Sequence, residues 1–85
     1  MFEEITTSKT NLQKRRLDAG LTQRELAKRS GLSLSCIRDF EQKQRLIENT
    51  SITTIIILCN ILNCSIENII DNQTLIEFYK KIKNK

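Results

Sequence analysis

The chain has 85 residues, a formal net charge of +4, 39% hydrophobic residues, two Gly, no Pro and no His. That length holds one small domain, and the lack of an imidazole base and of a glycine-rich phosphate loop excludes a self-contained enzyme and implies no cofactor. The basic excess points to a polyanionic partner, since phosphates attract clustered Lys and Arg. Cys36, Cys59 and Cys64 form no C-x-x-C pair and have no His to complete a zinc set, so they are read as reduced thiols of a cytoplasmic protein. The N-terminus is acidic and lacks the apolar run of a signal peptide, and the longest apolar run, 55–59, is too short for a bilayer, so no membrane is expected as a partner.

The expected elements are all helical, with the two glycines as punctuation. Residues 1–8 are read as an N-terminal extension. Lys9 to Ala19 form a first helix that Gly20 stops by taking a left-handed conformation. Thr22 and Glu25 have the spacing of a capping box and open a short second helix that buries Leu26 and Ala27 and ends at Ser30-Gly31. Ser33 opens a third helix, Leu34 to about Gln42, burying Ile37 and Phe40. Two short helices joined by a tight turn holding a Gly have the helix-turn-helix geometry.

Residues 43–49 are polar loop. A fourth helix, Ile52 to Leu62, starts at Thr50 or Ser51 and ends at Asn63, and a short fifth, Ile66 to Ile70, starts at Ser65. A sixth begins at Asp71 or Asn72, with Leu75, Tyr79 and Ile82 on one stripe and Phe78 beside it. In the fourth helix Ile52, Ile55, Ile56, Leu58, Cys59 and Leu62 share one broad face, while Ile57 and Ile61 point away together. That second stripe needs a cover, which either the last helix, through Leu75, Phe78 and Tyr79, or a second subunit supplies.

The run Leu21-Thr22-Gln23-Arg24-Glu25-Leu26-Ala27, followed by Gly31-Leu32-Ser33, Ile37 and Glu41, resembles the lambda-repressor-like (Xre/Cro-type) helix-turn-helix domains. The later Leu62-Asn63-Cys64-Ser65-Ile66 is similar to the segment that closes those domains, and the resemblance spans about Leu12 to Ile70. It implies an all-α, five-helix bundle over residues 9–71, to which 72–85 add a C-terminal helix. It also implies a homodimer on double-stranded DNA, with the third helix in the major groove and the second across the phosphate backbone.

Carried onto this chain, the resemblance makes Ser33, Leu34, Ser35, Arg38 and Asp39 the base-reading set. Leu34 suits a thymine methyl, Arg38 a guanine or a phosphate, and Asp39 a cytosine amino group, although a carboxylate near phosphates is ordinarily repelled. Gln23, Arg24, Lys43, Gln44 and Arg45 are the expected phosphate contacts, and Arg16 and Glu41 a structural ion pair tying the first and third helices. One departure is Lys43, which stands where the family often has Gly. A left-handed Lys is strained, so the loop is expected to take another path, which bears on where Lys43, Gln44 and Arg45 lie.

Charge is segregated along the chain. Residues 9–45 carry ten cations against Asp18, Glu25, Asp39 and Glu41, whereas 46–72 carry Glu48, Glu67 and Asp71 and no cation. The helix-turn-helix half is therefore the basic one, as phosphate binding requires. The resulting expectation is a DNA-binding transcriptional repressor. The alternative is a protein-interaction module or antitoxin-type regulator that keeps the fold and binds a protein partner through its last helix.

Overall fold

The computed structural model describes residues 9–83, and the segment 1–8, read above as an extension, lies outside them. Five α-helices follow in order: α1 (Asn11–Asp18), α2 (Gln23–Ser30), α3 (Leu34–Glu41), α4 (Ile52–Leu62) and α5 (Gln73–Lys83). Single 3-10 turns lie at Ile47–Asn49 and Ile66–Asn68, and the described residues contain no strand. The short helix expected over 66–70 is thus one turn, closed by the Asn68 carboxamide oxygen, which accepts from both the amide and the hydroxyl of Ser65. The expected sixth helix is α5.

Each helix starts where a side chain satisfies amides that have no intrahelical acceptor. Thr10, Thr22, Ser33 and Ser51 accept from the amide three residues on, and Asn72 accepts from Leu75 N at 3.1 Å. At Thr22 the bond is reciprocal: Glu25 Oε1 accepts from Thr22 N at 2.8 Å, while Glu25 N donates to Thr22 Oγ1 at 3.0 Å. The Thr22 amide and then its hydroxyl hold the Glu25 carboxyl below the usual carboxylate range. Gly20 (φ +73°) and Gly31 (φ +77°) supply the left-handed residues after α1 and α2, and Asn63 (φ 53°) supplies the one after α4.

The core forms where α2 packs between α3 and α4, with Leu12, Leu26, Ile37, Leu58 and Ile69 fully buried. α1 is tied to the start of the tail by Asn11, whose amide donates to Asp71 Oδ1 at 2.8 Å and whose side chain donates to Ile70 O at 2.9 Å.

α4 differs from its expected packing. Its buried residues are Ile55, Leu58, Cys59 and Leu62, a narrow i, i+3, i+4, i+7 stripe, whereas Ile52 and Ile56 are 58% and 53% exposed. Those two lie to one side of the stripe, where only a closely pressed α5 would cover them. α5 instead buries Ile76 alone, and Leu75, Phe78 and Ile82 stay exposed. Nor does the last helix lie over the second stripe. Leu75, Phe78 and Tyr79 share an open apolar groove of about 300 Å³ with Ile52, Ile55, Ile66 and Ile70. Ile61 is half-buried against its own core, and Ile57 is left exposed.

Candidate nucleic-acid interface

The turn between α2 and α3 is short because its polar groups are satisfied locally. Ser30 Oγ donates to Ala27 O and accepts from Leu32 N, each at 3.2 Å, and Gly31 reverses the chain. Ser33 then caps α3 by accepting from Cys36 N at 3.1 Å and keeps its hydroxyl proton for an outside acceptor. This compact turn sets the first turn of α3 beside the start of α2. An open cleft of about 640 Å³ results, lined by Arg16, Leu17, Gly20, Leu21, Thr22, Gln23, Arg24, Leu34 and Arg38. Two residues from the phosphate set, Gln23 and Arg24, and two from the base set, Leu34 and Arg38, therefore share one concavity. The first amides of α2 and the positive end of its dipole lie in the cleft wall, an arrangement suited to an anion.

Beneath the cleft lies a buried polar network. Arg16 Nε donates to Glu41 Oε2 at 2.7 Å and Arg16 Nη2 to Glu41 Oε1 at 3.1 Å, a forked pair with side chains only 8% and 3% exposed. Arg16 Nη1 also donates to Leu21 O at 2.7 Å, so the same guanidinium fixes the backbone just before α2. Gln23 joins the network by donating from Nε2 to Glu41 Oε1 at 3.0 Å. One of its two side-chain N–H donors is thus committed inward, leaving the other and the backbone amide for an anion. The family resemblance implies the pairing of Arg16 with Glu41, but the sequence carries no signal for the bond from Gln23, which bridges 18 positions.

Of the expected contact residues, Ser33, Ser35, Asp39, Lys43, Gln44 and Arg45 do not line the cleft. Ser35, Arg38 and Arg24 are exposed, Asp39 is half-exposed, and Leu34 is half-buried against the core, so it serves packing as well as any apolar contact. After α3 the chain departs from expectation: Lys43 does adopt the left-handed conformation, with φ 63°. The strain, about 1–2 kcal/mol for such a residue, is offset by three backbone bonds that close the turn. Lys43 N donates to Phe40 O at 3.3 Å, and Gln44 N and Arg45 N donate to Asp39 O at 2.8 and 3.2 Å. The loop therefore folds back on α3 and keeps Lys43, Gln44 and Arg45 exposed beside it. Arg45 Nη2 lies 3.4 Å from Asp39 Oδ2.

Among the described residues no group of His, Cys, Asp and Glu is placed to hold a metal ion, and no helix is long and apolar enough to cross a membrane.

A compact helical domain with two short helices meeting at a Gly turn over a basic cleft defines the helix-turn-helix class of DNA-binding proteins. A helix-turn-helix family model matches residues 12–69, and the chain belongs to that family, of the lambda-repressor-like (Xre) type. Among solved structures it is similar to the restriction-modification controller protein C.AhdI from Aeromonas hydrophila. The two are 32% identical with a TM-score of 0.60, and the match covers 69% of this chain and 85% of that one. No curated protein matches the chain.

Proposed function

We propose that the chain is a sequence-specific transcriptional regulator that binds double-stranded DNA through residues 9–71, lays α3 in the major groove and acts as a repressor. The observation that carries this reading is the cleft itself. Gln23, Arg24 and Arg38 meet there at the start of α2, above the Arg16–Glu41 pair, which holds the two walls in register. Phosphates would meet the α2 N-terminus and the cations around it, while Ser33, Ser35, Arg38 and Asp39 offer both donors and acceptors to base edges. Family membership and the likeness to a restriction-modification controller support a regulatory role. Repression is the simplest outcome for a small domain that occupies a promoter, and a DNA-bound regulator of this kind acts in the cytoplasm.

The apolar groove beside α5 supports a homodimer as the working form. Phe78 and Ile82 are 63% and 59% exposed and share that groove with Ile52, which is 58% exposed, more contiguous apolar surface than a lone 85-residue chain needs. Glu67 and Lys83 already pair within the chain at 3.0 Å, while Glu48 and Asp71 on one side and Lys80 and Lys81 on the other remain complementary in charge, as a two-fold interface between identical copies favours. In this reading residues 72–85 are the contact segment.

The test is titration of labelled random-sequence and promoter duplexes at several salt concentrations. Affinity is expected to fall steeply as salt rises, with a log–log slope of about 0.9 per phosphate neutralised. Binding that is absent, or indifferent to salt, would overturn the reading.

A further inference from the structure

Asp39 is the one outward-facing carboxylate of α3, because Glu41 is buried in its pair with Arg16. A bare carboxylate carried into a groove walled by phosphates is repelled, so its presence on the reading helix needs a physical reason. The loop after α3 supplies one. The left-handed turn at Lys43 hangs Gln44 N and Arg45 N on the carbonyl of Asp39 itself, at 2.8 and 3.2 Å. That anchor returns the Arg45 guanidinium to the Asp39 side chain, Nη2 to Oδ2 at 3.4 Å. The Arg45 and Asp39 side chains are 57% and 38% exposed, and among the described residues no donor reaches Oδ1.

We propose that Asp39 reads a cytosine in the major groove and that Arg45 is the positioning residue that makes this possible; the proposal rests on the DNA-binding reading above. Arg45 offsets the charge of the carboxylate and occupies Oδ2, which leaves Oδ1 to accept from a base amino group. Two bases present such a donor in the major groove. Adenine flanks its amino group with the N7 lone pair, which repels a carboxylate, whereas cytosine flanks its own with a C5–H, so the acceptor-only Asp39 selects cytosine. Arg45 does not need to touch a base for this selection. Its effect passes through Asp39.

The experiment has two arms on the full chain, after far-UV circular dichroism has verified that each variant is folded. In the first, duplexes are selected from a random pool with the wild type and with Asp39→Asn. Asn pairs with adenine through N6 and N7, so one position of the motif is expected to move from C·G to A·T, with about a tenfold change in preference. An unchanged motif from Asp39→Asn would overturn the cytosine assignment and leave DNA binding standing, whereas a wild type that selects no motif would bring down both. In the second arm, affinity for the selected duplexes is measured for Arg45→Ala alone and in the Asp39→Asn background. If Arg45 balances Asp39, its removal costs several-fold more affinity when the carboxylate is present, the coupling expected of residues in contact. An equal cost in both backgrounds would make Arg45 a plain phosphate contact and overturn its positioning role.

Discussion

The two halves of the molecule dispose of their difficult groups in opposite ways. In the α1–α3 half the apolar side chains are largely covered, and the ionised groups are either paired below the surface, as Arg16 and Glu41 are, or turned outward, as Arg24 and Arg38 are. In the α4–α5 half one stripe of α4 and Ile76 are buried, but several long apolar side chains are turned outward, among them Ile52, Ile56, Phe78 and Ile82. A surface that exposes cations over a rigid base suits a polyanion, while one that exposes isoleucine and phenylalanine suits another protein surface. The contrast supports the proposed division, with nucleic acid on one half and self-association on the other.

The largest effect is expected where the first half is closed. Glu41→Ala leaves the Arg16 guanidinium buried beside Leu21 O and frees Gln23, and should destabilise the fold by about 3–5 kcal/mol. Arg16→Ala should likewise lower the melting temperature clearly more than Arg15→Ala, for which about 0.5 kcal/mol is typical of a surface change. Chemical denaturation of the three variants checks this, and equal losses from Arg16 and Arg15 would break the idea that a buried pair organises this half.

The second half should behave in the converse manner. Phe78→Ser removes exposed apolar surface and leaves the folded core intact, so the melting profile of the monomer should barely move. Self-association should weaken by about tenfold or more if Phe78 anchors the interface, as read by sedimentation equilibrium. A wild type that stays monomeric at high micromolar concentration would remove the dimer from the account.

Two smaller effects sharpen the boundary between the halves. Lys43→Gly relieves a left-handed residue and should stabilise the fold by about 1 kcal/mol in urea titration. Burial, and then the neighbouring Cys64, push the Cys59 thiol from its ordinary 9.0 up to about 11. Its stabilising contribution is therefore complete below pH 9.0 and is lost as the pH rises toward about 11, because only the unfolded thiol ionises across that window. Cys59 should correspondingly resist a thiol reagent at neutral pH until the chain is unfolded.

Local signals made the first half legible. Gly20, the Thr22–Glu25 capping box and Ser33 each act within four residues of where they stand, so their consequences follow from the chain itself. The Lys43 turn was not legible, because Lys has no preference for a positive φ and the amides of Gln44 and Arg45 stabilise the turn only once α3 ends beside them. Gln23 was visible as a phosphate candidate but not as a donor to Glu41, a contact that exists only after three helices have met. In α5 the periodicity correctly grouped Leu75, Tyr79 and Ile82, yet Ile76 is the residue that seats the helix. Apolar spacing reports which side chains travel together but not which of them meet their own chain.

The division between the halves stands on where the cations act. Duplex affinity measured across a salt series, for the wild type, for Arg24→Ala with Arg38→Ala, and for Lys80→Ala with Lys81→Ala, resolves it. The cleft double variant should flatten the log–log slope by about 2, roughly one per lost phosphate contact, while the α5 double variant should leave the slope unchanged. A flattened slope from the α5 pair, with no change from Arg24 and Arg38, would contradict the division and move the nucleic-acid surface to the other half of the molecule.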